Sequence, residues 1–131
     1  MWMLDTNICS YVLRRRPPSI KSRFDRAAAG QLCISTVTLA ELFYGAARHP
    51  KGAEIRREID DFVSRLEVLH WDAGAADRYG NLRAQLERVG RTFDNLDLMI
   101  AAYAISVSAT LVSNDLRHFP RVSSLKLENW A

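Results

Sequence analysis

Short apolar runs that stop at polar turn residues alternate, along this chain, with longer segments that have a helical period. We predict strands in the runs Trp2–Leu4, Leu32–Ile34, Glu67–Leu69, Thr110–Val112 and Leu125–Leu127. Alternation of this kind is typical of a parallel sheet, because parallel neighbours must be joined by crossover segments that are usually helices. The pattern therefore predicts an α/β sandwich built around a mainly parallel sheet.

The segments between these runs have the periodicity and the terminal residues of helices. Pro17-Pro18 should end the first helix, Ser19 should cap the second, and Gly30 should end it. The predicted helices cover approximately residues 7–13, 20–29, 36–48, 53–66, 73–89 and 96–107. Because the chain has 131 residues and no repeat or linker, we expect one domain spanning 1–131.

Composition excludes several classes of protein. Hydrophobic residues make up 48% of the chain and charged residues 25%, which is typical of a globular domain. The uncharged stretch Leu98–Val112 is too short to cross a bilayer, so we expect no membrane association. Cys9 and Cys33 match no metal-ligand spacing, which favours a reducing, cytoplasmic location.

Positive charge is concentrated near the N-terminus. Residues 1–30 contain six basic and two acidic residues, a net charge of +4, whereas the whole chain carries +3. A basic segment of this kind attracts a polyanion such as RNA. The alternative interpretation is an ordinary solvated helix face.

Two carboxylates follow predicted strands. Asp5 comes directly after the first strand, and Asp115 comes shortly after Val112. Ligands of parallel sheets bind beyond the carboxyl ends of the strands, so we expect a site here. Asp115 also has a simpler interpretation as a turn residue.

Two further carboxylates lie on predicted helices. Glu41 lies beside the apolar stripe of its helix and too far from the helix start to act as a cap. A carboxylate on a buried side needs a cationic partner, which an arginine or a metal ion could supply. Asp97 has an alternative interpretation as a first-turn acid that favours the helix dipole, with Asp94 or Asn95 as the N-cap.

The four carboxylates would form one cluster of negative charge if the sheet brings them together. Two unit charges about 4 Å apart repel by about 4 kcal/mol at an effective dielectric near 20. A folded protein keeps such a cluster only if a cation binds there or some groups stay protonated. Oxygen ligands favour Mg²⁺, with Mn²⁺ as a substitute, and a hard cation beside a basic surface suits phosphodiester hydrolysis.

Four motifs resemble the PIN domain of VapC-type toxins, and they occur in the family's order and at its usual separations. They are MLDTN, ISTVTLAELFYGA, LDLMIAAYA and LVSNDLRHF, and the closing RVSSLKLENW is also similar to the family's tail. The resemblance covers essentially the whole chain. It implies a PIN-domain three-layer sandwich and a metal-dependent endoribonuclease that acts as a toxin.

The resemblance also implies roles for individual residues. The catalytic acids would be Asp5, Glu41, Asp97 and Asp115. Of these, the three aspartates would bind Mg²⁺, while Glu41 would orient or deprotonate the attacking water or complete the metal shell through water. Cleavage would leave a 5′-phosphate and a 3′-hydroxyl. The pocket-lining polar residues would be Asn7 and Ser113. We further expect the RNA backbone to contact the basic run Arg14, Arg15 and Arg16.

The substrate and partners of the family give further expectations. Similar toxins cut the anticodon stem-loop of initiator tRNA, and relatives cut other tRNAs or ribosomal RNA. A VapB-type antitoxin would block the acidic pocket, the toxin would be a homodimer, and operator DNA would be bound only through the antitoxin. Candidates for an antitoxin groove, or for plain core, are Ile8, Tyr11, Phe43 and Tyr44.

Several alternatives stay open at this point. Asp94 stands where the family often has a turn residue, so it is either a helix cap or an outer-shell ligand. The chain could instead be a non-catalytic, protein-binding subunit of a DNA-bound repressor. A phosphatase with an aspartate nucleophile is disfavoured, because Asn7 stands where that chemistry usually needs a second aspartate.

Overall fold

The structure is a computed structural model that describes residues 1–115 and 117–130. Leu116, within the LVSNDLRHF motif, and Ala131, the last residue of the predicted domain, lie outside the described residues. None of the helices in the described part of the chain is long and apolar enough to cross a membrane.

Five parallel strands form one sheet within the described residues. They are β1 (Trp2–Leu4), β2 (Leu32–Ser35), β3 (Glu67–Leu69), β4 (Thr110–Val112) and β5 (Lys126–Glu128). Their order across the sheet is β3-β2-β1-β4-β5, and every neighbouring pair is parallel. The predicted α/β fold with a parallel sheet is therefore confirmed.

Six helices connect these strands in the part of the chain that the structure describes. They are α1 (Thr6–Arg14), α2 (Pro18–Arg26), α3 (Thr36–Ala47), α4 (Gly52–Val63), α5 (Ala73–Arg88) and α6 (Asn95–Ser106). Two short 3-10 turns cover Ala29–Gln31 and Phe119–Arg121. The bounds lie within a few residues of those expected from the periodicity.

Alternate residues of the strands enter two cores, one on each face of the sheet. Leu4 packs on the face covered by α1 to α4, and Met3 packs on the face covered by α5 and α6. Both residues are fully buried. The helices therefore form the two outer layers of a three-layer sandwich, as the resemblance implied.

The predicted bounds of two elements are wrong. The second helix begins at Pro18 with Pro17 as its cap, because proline fits the first helical turn, where its missing amide would be unpaired in any case. It ends at Arg26 rather than close to Gly30. The last strand is Lys126–Glu128 rather than Leu125–Leu127, because the amide of Leu125 donates to a turn instead of entering the ladder.

The strand order creates a switch point between β1 and β4. From β1 the chain moves outward through β2 and β3, then crosses back to add β4 and β5 on the other side of β1. Leu4 and Val112 are paired in register, so the residues that follow them emerge together at the carboxyl edge. Crevices at such switch points are where open parallel sheets bind ligands.

Candidate active site

Asp5 follows β1 and is the N-cap of α1. Its Oδ1 accepts a hydrogen bond from the amide of Ile8 at 2.9 Å, and its side chain is buried. The pKa of Asp5 is raised to about 6, mainly by burial. Hydrogen bonds with Ser113 and Ile8 lower it, and the nearby charges of Asp115 and Glu41 raise it. The Asp5 carboxylate therefore caps α1 and lies at the switch point between β1 and β4.

The loop after β4 brings Ser113 and Asp115 to the same edge. Ser113 is buried, hydrogen-bonds Asp5, and accepts the amide of Asp115 at 3.0 Å. Asp115 Oδ1 accepts the amides of Arg117 and His118 at 2.9 and 3.0 Å. Although burial raises the pKa of Asp115, its hydrogen bonds with His118 and Arg117 hold that pKa below the usual value. Asp115 therefore stays ionised and structures its own loop.

Glu41 lies half-buried on α3, next to the core residue Leu42. Its Oε1 accepts a hydrogen bond from the hydroxyl of Thr6 at 2.6 Å. Among the residues that the structure describes, no lysine or arginine lies within ion-pair distance of Glu41. The arginine partner that the sequence left open is therefore not found there.

Asp97 is half-buried in the first turn of α6. Asp94 caps that helix, because its Oδ1 accepts the amides of Leu96 and Asp97 at 3.0 and 3.2 Å. Asp94 is therefore a helix cap, which is one of the two roles that the sequence left open. The pKa of Asp97 is raised to about 6, mainly by burial and further by the charges of Asp94, Asp5, Glu41 and Asp115.

These acids share a negative charge that nearby bases do not neutralise. Asp5, Glu41 and Asp97 have no lysine or arginine within ion-pair distance among residues 1–115 and 117–130, and Asp115 contacts only a histidine. In the same residues no three His, Cys, Asp or Glu side chains converge closely enough to form a ready metal site. The carboxylate donors and their charge nevertheless fit a hard divalent cation.

Residues 2–125 match the family described as the PIN domain. The ribonuclease VapC2 of Haemophilus influenzae is 45% identical over 129 residues, which are 98% of this chain and 97% of that protein. The chain belongs to the PIN-domain family of VapC ribonucleases. That match covers nearly the whole of both chains.

Further VapC relatives agree with this assignment. A tRNA(fMet)-specific endonuclease VapC of Shigella flexneri is 43% identical over 130 residues, 99% of this chain and 98% of that protein. The promoter-bound VapBC2 complex of Rickettsia felis has a chain with a TM-score of 0.93 and 40% identity, covering 99% of this chain and 98% of its own. DNA-bound VapBC of Salmonella typhimurium gives a TM-score of 0.94 at 38% identity with the same coverage.

The remaining predicted site residues of this VapC ribonuclease lie at different distances from the acids. Asn7 is exposed on the first turn of α1, next to the acidic edge. Arg14, Arg15 and Arg16 are exposed at the opposite end of α1, about 13 Å away at 1.5 Å per residue. Among the described residues none of these arginines forms an ion pair with the four acids, and any contact they make with RNA would lie farther along α1 than Asp5.

A groove connects the two ends of α1. It has a volume of about 540 Å³, lies between α1, α3 and α4, and is lined by Thr6 and Glu41 at one end and Arg14 farther along. Of the four residues considered for a partner groove, Ile8 is fully buried and belongs to the core, whereas Tyr44 is 64% exposed and lines this groove. Tyr11 and Phe43 are half-buried.

Two residues of the site were missed by the sequence reasoning. Thr6 binds Glu41, and its position between Asp5 and Asn7 was the one available signal. His118 contacts Asp115, with its Nδ1 3.1 Å from Oδ2. The spacing of three residues between them was compatible with this contact but did not require it.

Proposed function

We propose that this VapC ribonuclease is a Mg²⁺-dependent endonuclease that cuts structured RNA, with tRNA as the substrate class. The observation that carries the proposal is the shared charge of Asp5, Glu41 and Asp97 at the switch point, without a basic partner among the described residues. At neutral pH Asp5 and Asp97, with pKa values near 6, are mostly ionised, and a divalent cation would relieve the repulsion between them. A scaffold protein would gain nothing from this repulsion.

Each acid has a distinct role in the proposed reaction. Asp5 and Asp97 hold Mg²⁺, with Asp115 assisting from the loop after β4. When bound, the cation supplies stabilisation of the charge that develops on the scissile phosphate. Glu41 orients the attacking water and accepts its proton, since Thr6 occupies Oε1 and leaves the other carboxylate oxygen available.

The proposed substrate is based on the substrate named for a relative and on the way in which proteins recognise RNA. The Shigella flexneri relative is a tRNA(fMet)-specific endonuclease. Proteins recognise RNA sequence mainly in single-stranded loops, where the bases are unstacked. We therefore propose the anticodon loop of initiator tRNA as the first candidate, cut in the cytoplasm so that translation stops.

Purified protein should cleave initiator tRNA in the presence of Mg²⁺, and the products should carry a 5′-phosphate and a 3′-hydroxyl. EDTA should stop cleavage, and added Mg²⁺ or Mn²⁺ should restore it. Elongator methionine tRNA serves as the matched control for the choice of substrate. Equal cleavage of both tRNAs would reject the initiator assignment, and full activity in EDTA would reject the metal-dependent mechanism.

The proposed partners are a VapB-type antitoxin, a second copy of the toxin, and operator DNA reached only through the antitoxin. Support comes from the DNA-bound VapBC complexes, whose toxin chains have TM-scores of 0.93 and 0.94 with this chain. The groove along α1 offers an apolar floor, including Leu42 and Ile59, next to the acidic edge. An amphipathic antitoxin segment lying there would cover the approach to Glu41.

Co-expression with the protein encoded by the neighbouring gene should yield a stable complex whose nuclease activity is at least about tenfold lower than that of free toxin, which corresponds to about 1.4 kcal/mol. Size-exclusion chromatography with light scattering gives the stoichiometry of the complex and of the free toxin. Recovery of free, equally active toxin would count against an inhibitory antitoxin. A toxin that binds its partner but neither cuts RNA nor slows growth would favour the non-catalytic alternative.

A further inference from the structure

We propose that His118 is a positioning residue of the nuclease, which connects the loop carrying Asp115 to the segment that begins α6. This inference rests on the proposed roles of Asp5 and Asp97 and adds a residue that those roles do not require. His118 lies outside the four acids, and its ring contacts two segments that are far apart in the sequence.

The first contact of the His118 ring is with Asp115. Nδ1 lies 3.1 Å from Oδ2, while Oδ1 of the same carboxylate accepts two backbone amides of the loop. Both oxygens of Asp115 are therefore engaged, and the carboxylate cannot turn without breaking one of these contacts. Carboxylates that bind metal ions are themselves held by hydrogen bonds from neighbouring groups, and such partners orient them.

The second contact of the His118 ring is with Phe93. The two ring centroids lie 5.5 Å apart at an angle of 59°, and Phe93 also contacts Phe119 at 5.7 Å. Aromatic pairs at such separations attract each other beyond the effect of the area they bury. Phe93 directly precedes Asp94, so the His118 ring braces the residue next to the cap of α6.

Together these contacts form a continuous path between the two acids with raised pKa values. From Asp5 the path leads through the Ser113 hydroxyl to the amide of Asp115, and through the Asp115 carboxylate to His118. The ring of His118 then contacts Phe93, and the neighbouring Asp94 accepts the amide of Asp97. Repulsion between Asp5 and Asp97 pushes their elements apart, and this path opposes that displacement.

The exposure of His118 distinguishes positioning from support of the core. Its side chain is 46% exposed, whereas the neighbouring Phe119 is 1% exposed and belongs to the core on that face. Removal of the His118 ring should therefore leave the fold intact. The effect should be confined to the placement of Asp115 and of the first turn of α6.

Three substitutions separate the two contacts. His118→Asn keeps a hydrogen-bond donor near Asp115 and loses the ring, His118→Phe keeps the ring against Phe93 and loses the donor, and His118→Ala loses both. With initiator tRNA and saturating Mg²⁺, we expect H118A to lower kcat by about 10- to 100-fold, the usual range for residues that orient metal ligands. KM should stay within about twofold, since His118 holds protein groups rather than RNA, and H118N and H118F should each recover part of kcat.

The matched control is His49→Ala, because His49 is also exposed and its Nδ1 accepts the amide of Lys51 in a loop at 2.9 Å. H49A should keep the kcat of the wild type. A second readout does not depend on activity: amide hydrogen exchange in the first turn of α6 should be faster in H118A and unchanged in H49A.

The outcomes separate this inference from the proposed function. Wild-type kcat together with wild-type exchange in H118A would overturn the positioning role, and so would a rise in KM alone, which would indicate an RNA contact. Equal loss of kcat in all three His118 variants would also overturn it, because neither retained contact would then help. An inactive wild-type protein would instead reject the proposed function, and the exchange measurement would still test the connection between the two segments.

Discussion

Substitution of Asp97 by asparagine should reduce the rate of RNA cleavage by at least about 100-fold, the loss typical for removal of one group that stabilises transition-state charge. Asparagine keeps the size and the polar oxygen of the side chain but removes the charge that a divalent cation needs. The measurement is kcat/KM for initiator tRNA at saturating Mg²⁺. Asp5→Asn should have an effect of the same order.

Asparagine is the informative replacement at Asp5 because that residue has two functions. Its Oδ1 caps α1 by accepting the amide of Ile8, and asparagine caps a helix about as well as aspartate. Asp5→Ala would lose the cap as well, at a cost of about 1 kcal/mol. Loss of activity in D5N without a loss of stability would therefore be attributable to the missing charge.

Asp77→Asn is the matched control for this series, because Asp77 is exposed on α5. D77N should cleave RNA at the wild-type rate. If D97N retained more than about one tenth of the wild-type kcat/KM, corresponding to a loss below about 1.4 kcal/mol, Asp97 would not have the role proposed for it.

The same Asp97→Asn substitution should stabilise the metal-free protein at neutral pH. The pKa of Asp97 is raised from 3.8 to about 6, so the folded state holds its proton more tightly than the unfolded state does. Such a group destabilises the folded state when it is ionised. The free energy of unfolding of the wild type should therefore fall as the pH rises from about 4 to about 6. Above that range it should stay low.

The expected size of this effect follows from the raised pKa. A shift of about two units corresponds to about 3 kcal/mol at about 1.4 kcal/mol per unit. Because Asp97 is only half-buried, solvent screening reduces the expected gain for D97N to about 1–2 kcal/mol. Urea unfolding in EDTA at a series of pH values measures it.

The pH profile contains its own control. D77N should follow the wild-type decline between pH 4 and 6, whereas D97N should show a smaller decline, to which Asp5 still contributes. Added Mg²⁺ at neutral pH should stabilise the wild type more than D97N. If D97N were less stable than the wild type at every pH, the Asp97 carboxylate would stabilise the fold rather than be repelled by its acidic neighbours.

Much of the fold could be predicted because its determinants are local. Asp5 and Pro17-Pro18 mark where α1 begins and ends, and the apolar runs mark the strands. The placement of Asp5 and Asp115 at one edge followed from the general behaviour of parallel sheets. That rule needs only the position of each residue relative to its own strand.

The features that could not be predicted depend on contacts between distant segments. The shift of β5 by one residue is set by its register against β4, in which Val112 pairs with Glu128. The hydrogen bond from Thr6 to Glu41 joins segments that are far apart in the sequence, and so does the contact of His118 with Phe93. The distance of Arg14–Arg16 from the acids likewise depends on the direction in which α1 leaves the sheet.

Carboxyl-detected NMR of the metal-free protein measures the charge state of the acidic edge directly. The signals of Asp5 and Asp97 should titrate near pH 6, and saturating Mg²⁺ should move both titrations to distinctly lower pH. Titration of Asp5 and Asp97 near pH 4, unchanged by Mg²⁺, would mean that these side chains neither crowd one another nor bind the cation.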